Sequence, residues 1–190
     1  MRSRDARATA LLLRITMLRI VLVPVVMGLI MLGDDVPNAY PIAAAVFVVA
    51  AFTDFVDGYL ARRWALTTTL GSFLDTTADK LLVVGALVSL IEARRASAWV
   101  AAVIVGRELV IMGLRGVVAS DGAVMVTSIW GKLKANAQFI AITLAILRPG
   151  PRLGPLWADE WAMMAAAAIT IMSAWDYLAR WSPSLSMRPP

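Results

Sequence analysis

Six apolar segments separated by short polar stretches account for most of the 190-residue chain. A helix needs about 20 mostly apolar residues to cross a bilayer, and charged residues interrupt several of these segments. Two folds fit this pattern: a soluble helical bundle with very apolar cores, or a membrane bundle whose inner halves line a polar cavity. The segments span residues 15–33, 40–60, 73–92, 97–119, 134–148 and 160–179.

The overall composition favours the membrane bundle. The chain is 60% hydrophobic and has a mean hydropathy of +0.76, whereas soluble domains are about 45–50% apolar. We therefore expect an all-α, polytopic membrane protein with six transmembrane helices in one domain, residues 1–190. Residues 1–14 are expected to form a basic cytoplasmic arm, and residues 182–190 a loose tail.

Lysine and arginine are unevenly distributed between the two ends of the segments, and such a bias marks the cytoplasmic side. When the N-terminus is placed in the cytoplasm, most cations fall on the inner side. The cations left on the outer side are Arg94, Arg95, Arg148 and Arg152. The sequence therefore predicts an integral protein of the cytoplasmic (inner) membrane, with both termini and the polar cavity on the cytoplasmic side.

Cysteine and histidine are both absent from the chain. Disulfide bonds, a thiolate nucleophile and a histidine base are therefore excluded. Acid–base chemistry and metal binding must fall mainly on carboxylates. No serine with an adjacent base is evident either, which disfavours a covalent intermediate.

Four aspartates flank the predicted turn between the second and third segments. Asp54 and Asp57 are three residues apart, and Asp75 and Asp79 are four apart, so each pair shares one face of a helix. The turn would set the two helices side by side as an antiparallel pair and bring the four carboxylates together. Four such acids repel one another unless a cation joins them. Oxygen ligands suit Mg²⁺ or Mn²⁺, and two ions would fit the ligand count; the alternative is a set of acids solvated at a helix–loop junction.

Two glycines lie among these aspartates. Gly58 follows Asp57 directly, and Gly71 lies shortly before Asp75. Small residues allow a backbone or a flat ligand to approach closely. The pair therefore indicates either a nucleotide slot or helix-packing glycines.

The complete pattern from Asp54 to Asp79, D-x2-D-G-x2-A-R-x8-G-x3-D-x3-D, resembles the signature of the CDP-alcohol phosphotransferase family. The resemblance implies that Asp54, Asp57 and Asp75 bind two metal ions. It also implies that Asp79 lies at the metals and acts as the base on the acceptor hydroxyl. Six transmembrane helices, a homodimer and CMP as leaving group are further implications. The positions that it assigns to CDP binding are Gly58, Ala61, Arg62 and Gly71.

Further stretches resemble one branch of that family, the phosphatidylglycerophosphate synthases. This resemblance implies transfer of a phosphatidyl group from CDP-diacylglycerol to glycerol 3-phosphate by metal-assisted direct displacement, with membrane lipids as surroundings and no nucleic-acid partner. Other acceptors remain open, namely inositol phosphate, serine or phosphatidylglycerol, and so does a divalent-cation transporter. The stretches are Thr16–Arg19, Ala61–Trp64, Ala78–Lys80, Gly106–Leu109, Leu114–Arg115 and Trp130–Lys134.

Four cations at the inner ends of the fourth and fifth segments are candidates for binding the acceptor phosphate: Arg107, Arg115, Lys132 and Lys134. Arginine can hold a phosphate in a bidentate way, which lysine cannot. Two alternatives stay open. Arg107 and Glu108 could form a buried ion pair that fixes helix packing, and the other cations could be topology signals.

Overall fold

The computed structural model describes residues 3–64, 69–120, 129–150 and 152–186, with side chains at 13–53, 71, 73–120, 129–150 and 152–180. The described residues form six α-helices and one short β-hairpin. The helices are α1 (Ser3–Met31), α2 (Ala39–Trp64), α3 (Thr69–Glu92), α4 (Ala98–Ser120), α5 (Ile129–Leu147) and α6 (Ala158–Ser186). The hairpin strands, β1 (Arg152–Leu153) and β2 (Leu156–Trp157), lie between α5 and α6.

Each helix overlaps one of the six apolar segments, which confirms the prediction of a mostly helical fold. The helix ends differ from the segment ends. α1 begins at Ser3, so the basic stretch at 1–14 is mostly helical and continuous with the first apolar run. Its alanines, leucines and arginines are strong helix formers, which explains the extension. α6 reaches Ser186, so residues 182–186 are helical where a loose tail was expected.

Two helical stretches within the described residues are long and apolar enough to cross a membrane. They are Leu13–Met31 in α1 and Ala158–Arg180 in α6. A shorter apolar stretch, Ala39–Thr53, forms the first part of α2. Charged side chains inside α3 and α4 interrupt their apolar runs. Membrane spanning by all six helices therefore stays a prediction.

Residues 1–95 form one compact unit, in which α1 packs along both α2 and α3. α2 and α3 also touch each other, but each makes its larger contact with α1. α1 and α3 approach closely at Gly85, where an added Cβ would lie 2.8 Å from a Val23 methyl group and 3.1 Å from Met27 Sδ. The missing side chain at Gly85 therefore lets the two helices pack closely.

The α1–α2 loop of this unit is fastened by Tyr40. Its hydroxyl donates a hydrogen bond to Asp34 Oδ1 at 3.0 Å, and the Arg95 guanidinium stacks on its ring at 3.4 Å. A side chain at Gly33 would collide with the same ring. These contacts tie the loop before α2 to the end of the unit.

Residues 96–190 form the second compact unit, in which α6 packs against α5 and α4. The hairpin before α6 turns at Gly154 and Pro155. Gly154 has a φ of 71°, which suits glycine at the first position of a two-residue hairpin turn. Trp161 Nε1 donates to the Leu153 carbonyl at 3.1 Å and thereby holds the hairpin against α6.

Candidate active site

α3 carries the third and fourth aspartates of the signature. Asp75 and Asp79 lie one helical turn apart and are both partly exposed, with 37% of the Asp75 side chain accessible. The side chains therefore share a face of α3 and remain accessible to a ligand. Gly71, one turn before Asp75, lies in the first turn of the same helix.

The first two aspartates of the signature belong to the C-terminal part of α2. The side chains of Asp54 and Asp57 lie outside those described, as do Gly58, Ala61 and Arg62 in the same part of α2. The described side chains contain no group of three or more acidic residues that could hold a metal ion. The four-aspartate metal site thus stays a prediction. The structure does describe the α3 half of this site. There Asp75 and Asp79 present two partly exposed carboxylates on one face, and carboxylate oxygens are ligands that Mg²⁺ and Mn²⁺ bind.

An arginine that the sequence analysis did not assign to the site contacts this half directly. Arg19 of α1 is 1% exposed, and its Nη1 donates to Asp75 Oδ1 at 3.1 Å. Its Nε donates to the Ala50 carbonyl at 3.3 Å, so the side chain joins α1, α2 and α3. A single arginine inside an apolar segment was the available signal, because such a residue needs an acidic or carbonyl partner.

The second unit contains a buried polar cluster built from three helices. α4 contributes two arginines and a carboxylate, α5 a lysine and an amide, and α6 three hydroxyl groups. We call this set the α4–α6 cluster; its members are Arg107, Glu108, Arg115, Lys134, Gln138, Thr170, Ser173 and Tyr177.

Glu108 is the carboxylate of the α4–α6 cluster. Its Oε1 accepts a hydrogen bond from Lys134 Nζ, and Arg107 Nη1 lies 3.4 Å from the same oxygen. All three side chains are more than nine-tenths buried. The predicted contact between Arg107 and Glu108 is therefore present in the structure. Lys134 lies closer to Glu108 than Arg107 does, and the sequence analysis did not predict that partner.

Ser173 and Tyr177 lie one turn apart on α6 and bind the two arginines of α4. Arg107 Nη2 donates to Ser173 Oγ at 2.7 Å, and Arg115 Nη2 donates to the Tyr177 hydroxyl at 2.8 Å. The Tyr177 ring lies within 5.5 Å of both guanidinium carbons. Sequence reasoning did not identify either residue, because a serine and a tyrosine in an apolar helix carry no distinctive pattern.

The α4–α6 cluster holds more positive than negative charge. Its members include two arginines and one lysine but a single carboxylate, which pairs with Arg107 and Lys134 while Arg115 binds Tyr177, so an excess of two positive charges remains. Within the described part of the chain, the buried Nε atoms of Arg107 and Arg115 have no hydrogen-bond partner. Buried donors without partners are rare and costly, and they suit an anion that completes them.

Three of the four predicted acceptor-phosphate cations are thus brought together by the structure. Arg107, Arg115 and Lys134 belong to the α4–α6 cluster. Lys132 does not, because its side chain is exposed on α5.

Comparison with known proteins gives one consistent match. The sequence profile of the CDP-alcohol phosphatidyltransferase family matches residues 13–172. A CDP-diacylglycerol–glycerol-3-phosphate 3-phosphatidyltransferase of Bacillus subtilis (strain 168) is 38% identical over 178 residues, which covers 88% of this chain and 92% of the relative. An enzyme of the same name from Pseudomonas fluorescens is 36% identical over 174 residues and 88% of each chain. A probable phosphatidylglycerophosphate synthase of Mycobacterium tuberculosis (strain H37Rv) is 39% identical over 87% of this chain and 78% of the relative.

Proposed function

The chain belongs to the CDP-alcohol phosphatidyltransferase family, and we propose that it transfers the phosphatidyl group of CDP-diacylglycerol to glycerol 3-phosphate. The products are phosphatidylglycerophosphate and CMP, which makes the chain a transferase of phospholipid biosynthesis. The main support for this proposal is sequence similarity to relatives that are named for this reaction, over most of this chain and most of each relative.

The chemistry is a direct displacement at the lipid-side phosphorus. Asp79 takes the proton from the acceptor hydroxyl, and that oxygen forms the new bond to phosphorus. The bond from this phosphorus to the CMP phosphate oxygen breaks, and CMP leaves with the electron pair. Asp79 is suited to this role because its side chain is partly exposed on α3.

Asp54, Asp57, Asp75 and Asp79 would hold Mg²⁺ or Mn²⁺, with two ions in the complete site. When bound, the ions supply positive charge that stabilises the pyrophosphate oxygens. The CDP group would lie near the small residues of the signature and its arginine. These are Gly58, Ala61, Arg62 and Gly71.

Acceptor binding is assigned to Arg107 and Arg115, with Lys134 in support. The excess of two positive charges in the α4–α6 cluster matches a phosphate monoester, which carries about two negative charges near neutral pH. The unpartnered Nε atoms of the arginines, counted over the described residues, are donors that such an anion would complete. Lys134 neutralises Glu108 through their ion pair, which leaves the positive charge of the arginines for the anion. Lys132 is exposed and attracts the anion from solution.

The protein environment follows from the same proposal. Six helices span the cytoplasmic membrane as a single domain, with both termini and the reacting groups on the cytoplasmic side. CDP-diacylglycerol enters laterally from the inner leaflet, and two copies form a homodimer. The apolar stretches of α1 and α6 and the exposed apolar side chains along the helices support contact with lipid.

The test is release of CMP by purified protein in mixed micelles of CDP-diacylglycerol. Glycerol 3-phosphate, inositol phosphate, serine and phosphatidylglycerol are offered in parallel, with and without a chelator. Turnover only with glycerol 3-phosphate, lost on chelation and restored by Mg²⁺ or Mn²⁺, is the expected result. Faster turnover with another acceptor would reassign the substrate. Metal uptake by reconstituted vesicles without CMP release would favour the transporter.

A further inference from the structure

Ser173 and Tyr177 have no place in the reaction as described so far, although both contact the proposed acceptor arginines. Tyr177 is only 1% exposed and Ser173 is fully buried. They lie one helical turn apart, so both face α4 from a single stripe of α6. That stripe continues one turn earlier with Thr170, which accepts a hydrogen bond from Gln138 at 3.0 Å.

Two guanidinium groups near one another repel and have many side-chain rotamers. Binding of one anion by both arginines therefore costs free energy, because the two groups must be brought together and their side chains ordered. This cost is smaller if other residues already hold the two arginines in place. Ser173 Oγ and the Tyr177 hydroxyl each accept a hydrogen bond from one arginine. The electron-rich face of the Tyr177 ring, within 5.5 Å of both guanidinium carbons, further reduces the repulsion.

We propose that Ser173 and Tyr177 are positioning residues, which hold Arg107 and Arg115 in the arrangement that receives the acceptor phosphate. This inference rests on the proposed function, because it gives the two arginines the role of phosphate ligands. Ser173 fixes Arg107 through Nη2, and Tyr177 fixes Arg115 through its own Nη2. In both arginines the Nε stays unused among the described residues and is left for the ligand.

The experiment removes each acceptor oxygen alone. Tyr177→Phe keeps the ring and deletes the hydroxyl, and Ser173→Ala deletes the hydroxyl of Ser173. Losing one hydrogen bond to a charged group should raise the KM for glycerol 3-phosphate about tenfold, with the KM for CDP-diacylglycerol unchanged. Tyr40→Phe is the matched control, because its hydroxyl binds Asp34 in the α1–α2 loop of the other unit. It should leave both KM values unchanged.

A double-mutant cycle separates positioning from general support of the fold. If the Tyr177 hydroxyl acts through Arg115, then Tyr177→Phe should have little further effect on the acceptor KM once Arg115 is alanine. Full additivity of the two effects would contradict the inference. Ser173→Ala provides the same test through Arg107 if Tyr177→Phe does not yield folded protein.

Failure of the inference and failure of the proposed function are distinguishable. If Arg115→Ala raises the acceptor KM selectively while folded Tyr177→Phe and Ser173→Ala behave like wild type, the positioning role is wrong and the acceptor pocket stands. If Arg115→Ala changes both KM values equally, the acceptor pocket itself is wrong. In that case the inference falls with it.

Discussion

The Nη1 atom of Arg19 lies 3.1 Å from Oδ1 of Asp75, which couples the buried side of α1 to the aspartate face of α3. Arg19 is almost fully buried, whereas more than a third of the Asp75 side chain is accessible. One carboxylate oxygen is thus fixed by the protein while the side chain remains open to a ligand. A guanidinium at this position also offsets the mutual repulsion of the signature aspartates.

Replacement of Arg19 by alanine should lower both stability and turnover. The variant loses the hydrogen bonds that Arg19 donates to Asp75 and to the Ala50 carbonyl, at a cost of about 1–3 kcal/mol. Turnover should fall at least tenfold because Asp75 loses its orientation. Thermal unfolding in detergent and CMP release provide the measurements. Arg14→Ala is the control, since Arg14 is an exposed arginine on the same helix; equal effects of the two changes would contradict the assigned contact.

Asparagine at Asp54, Asp57 or Asp75 should abolish turnover while the protein still inserts into the membrane. The amide keeps the size of the side chain but removes the charge that a divalent cation requires. We expect losses of at least a hundredfold in CMP release. Asp35→Asn, in the exposed α1–α2 loop, should have no effect. Wild-type turnover that survives thorough chelation would overturn the metal assignment.

Substitution of Glu108 by glutamine should destabilise the second unit strongly. The change leaves Lys134 and Arg107 buried without their shared carboxylate, and breaking a buried ion pair costs about 3–5 kcal/mol. The unfolding temperature in detergent is the readout. Arg180→Ala breaks an ion pair with Asp176 whose arginine is 62% exposed. Such a surface pair contributes about 0–1 kcal/mol, so this variant should unfold close to wild type.

The proposed topology can be tested with single introduced cysteines, because the chain has none of its own. Thr67→Cys, in the α2–α3 connection, should resist an impermeant thiol reagent in intact cells. Leu153→Cys, in the exposed hairpin strand, should react. Leu153 is a better site than Gly154, whose positive φ disfavours any side chain. The reverse labelling pattern would invert the assigned orientation.

The sequence predicted the helices well because six apolar segments leave little freedom in where helices form. It also singled out Arg107 and Arg115 as candidate phosphate ligands, since charged residues inside apolar helices are conspicuous; that role stays a prediction. The sequence did not predict which residues of other helices these arginines contact. Tyr177 is 62 positions from Arg115, and Asp75 is 56 positions from Arg19. Side-chain contacts between distant helices depend on how the helices rotate and pack, and periodicity in one helix does not contain that information.

The arrangement of α2 and α3 illustrates the same limit. A short connection predicts that two helices are neighbours, and α2 and α3 do touch. It does not predict that a third helix will pack along both, as α1 does. The sequence analysis therefore did not predict that the helix carrying Arg19 would lie beside the aspartates.

The close contact at Gly85 gives α3 a pivot. Side-chain atoms of Val23 and Met27 of α1 lie where a Cβ would be placed, so a side chain there must displace those two side chains or α3 itself. Gly85 is ten positions from Asp75, or about 15 Å along a helix that moves as a rod. If a larger side chain at Gly85 tilts α3, the end of α3 that carries Asp75 would move away from Arg19. Substitutions of Gly85 by large residues should therefore appear in a genetic screen for lost activity, although Gly85 has no part in the proposed reaction.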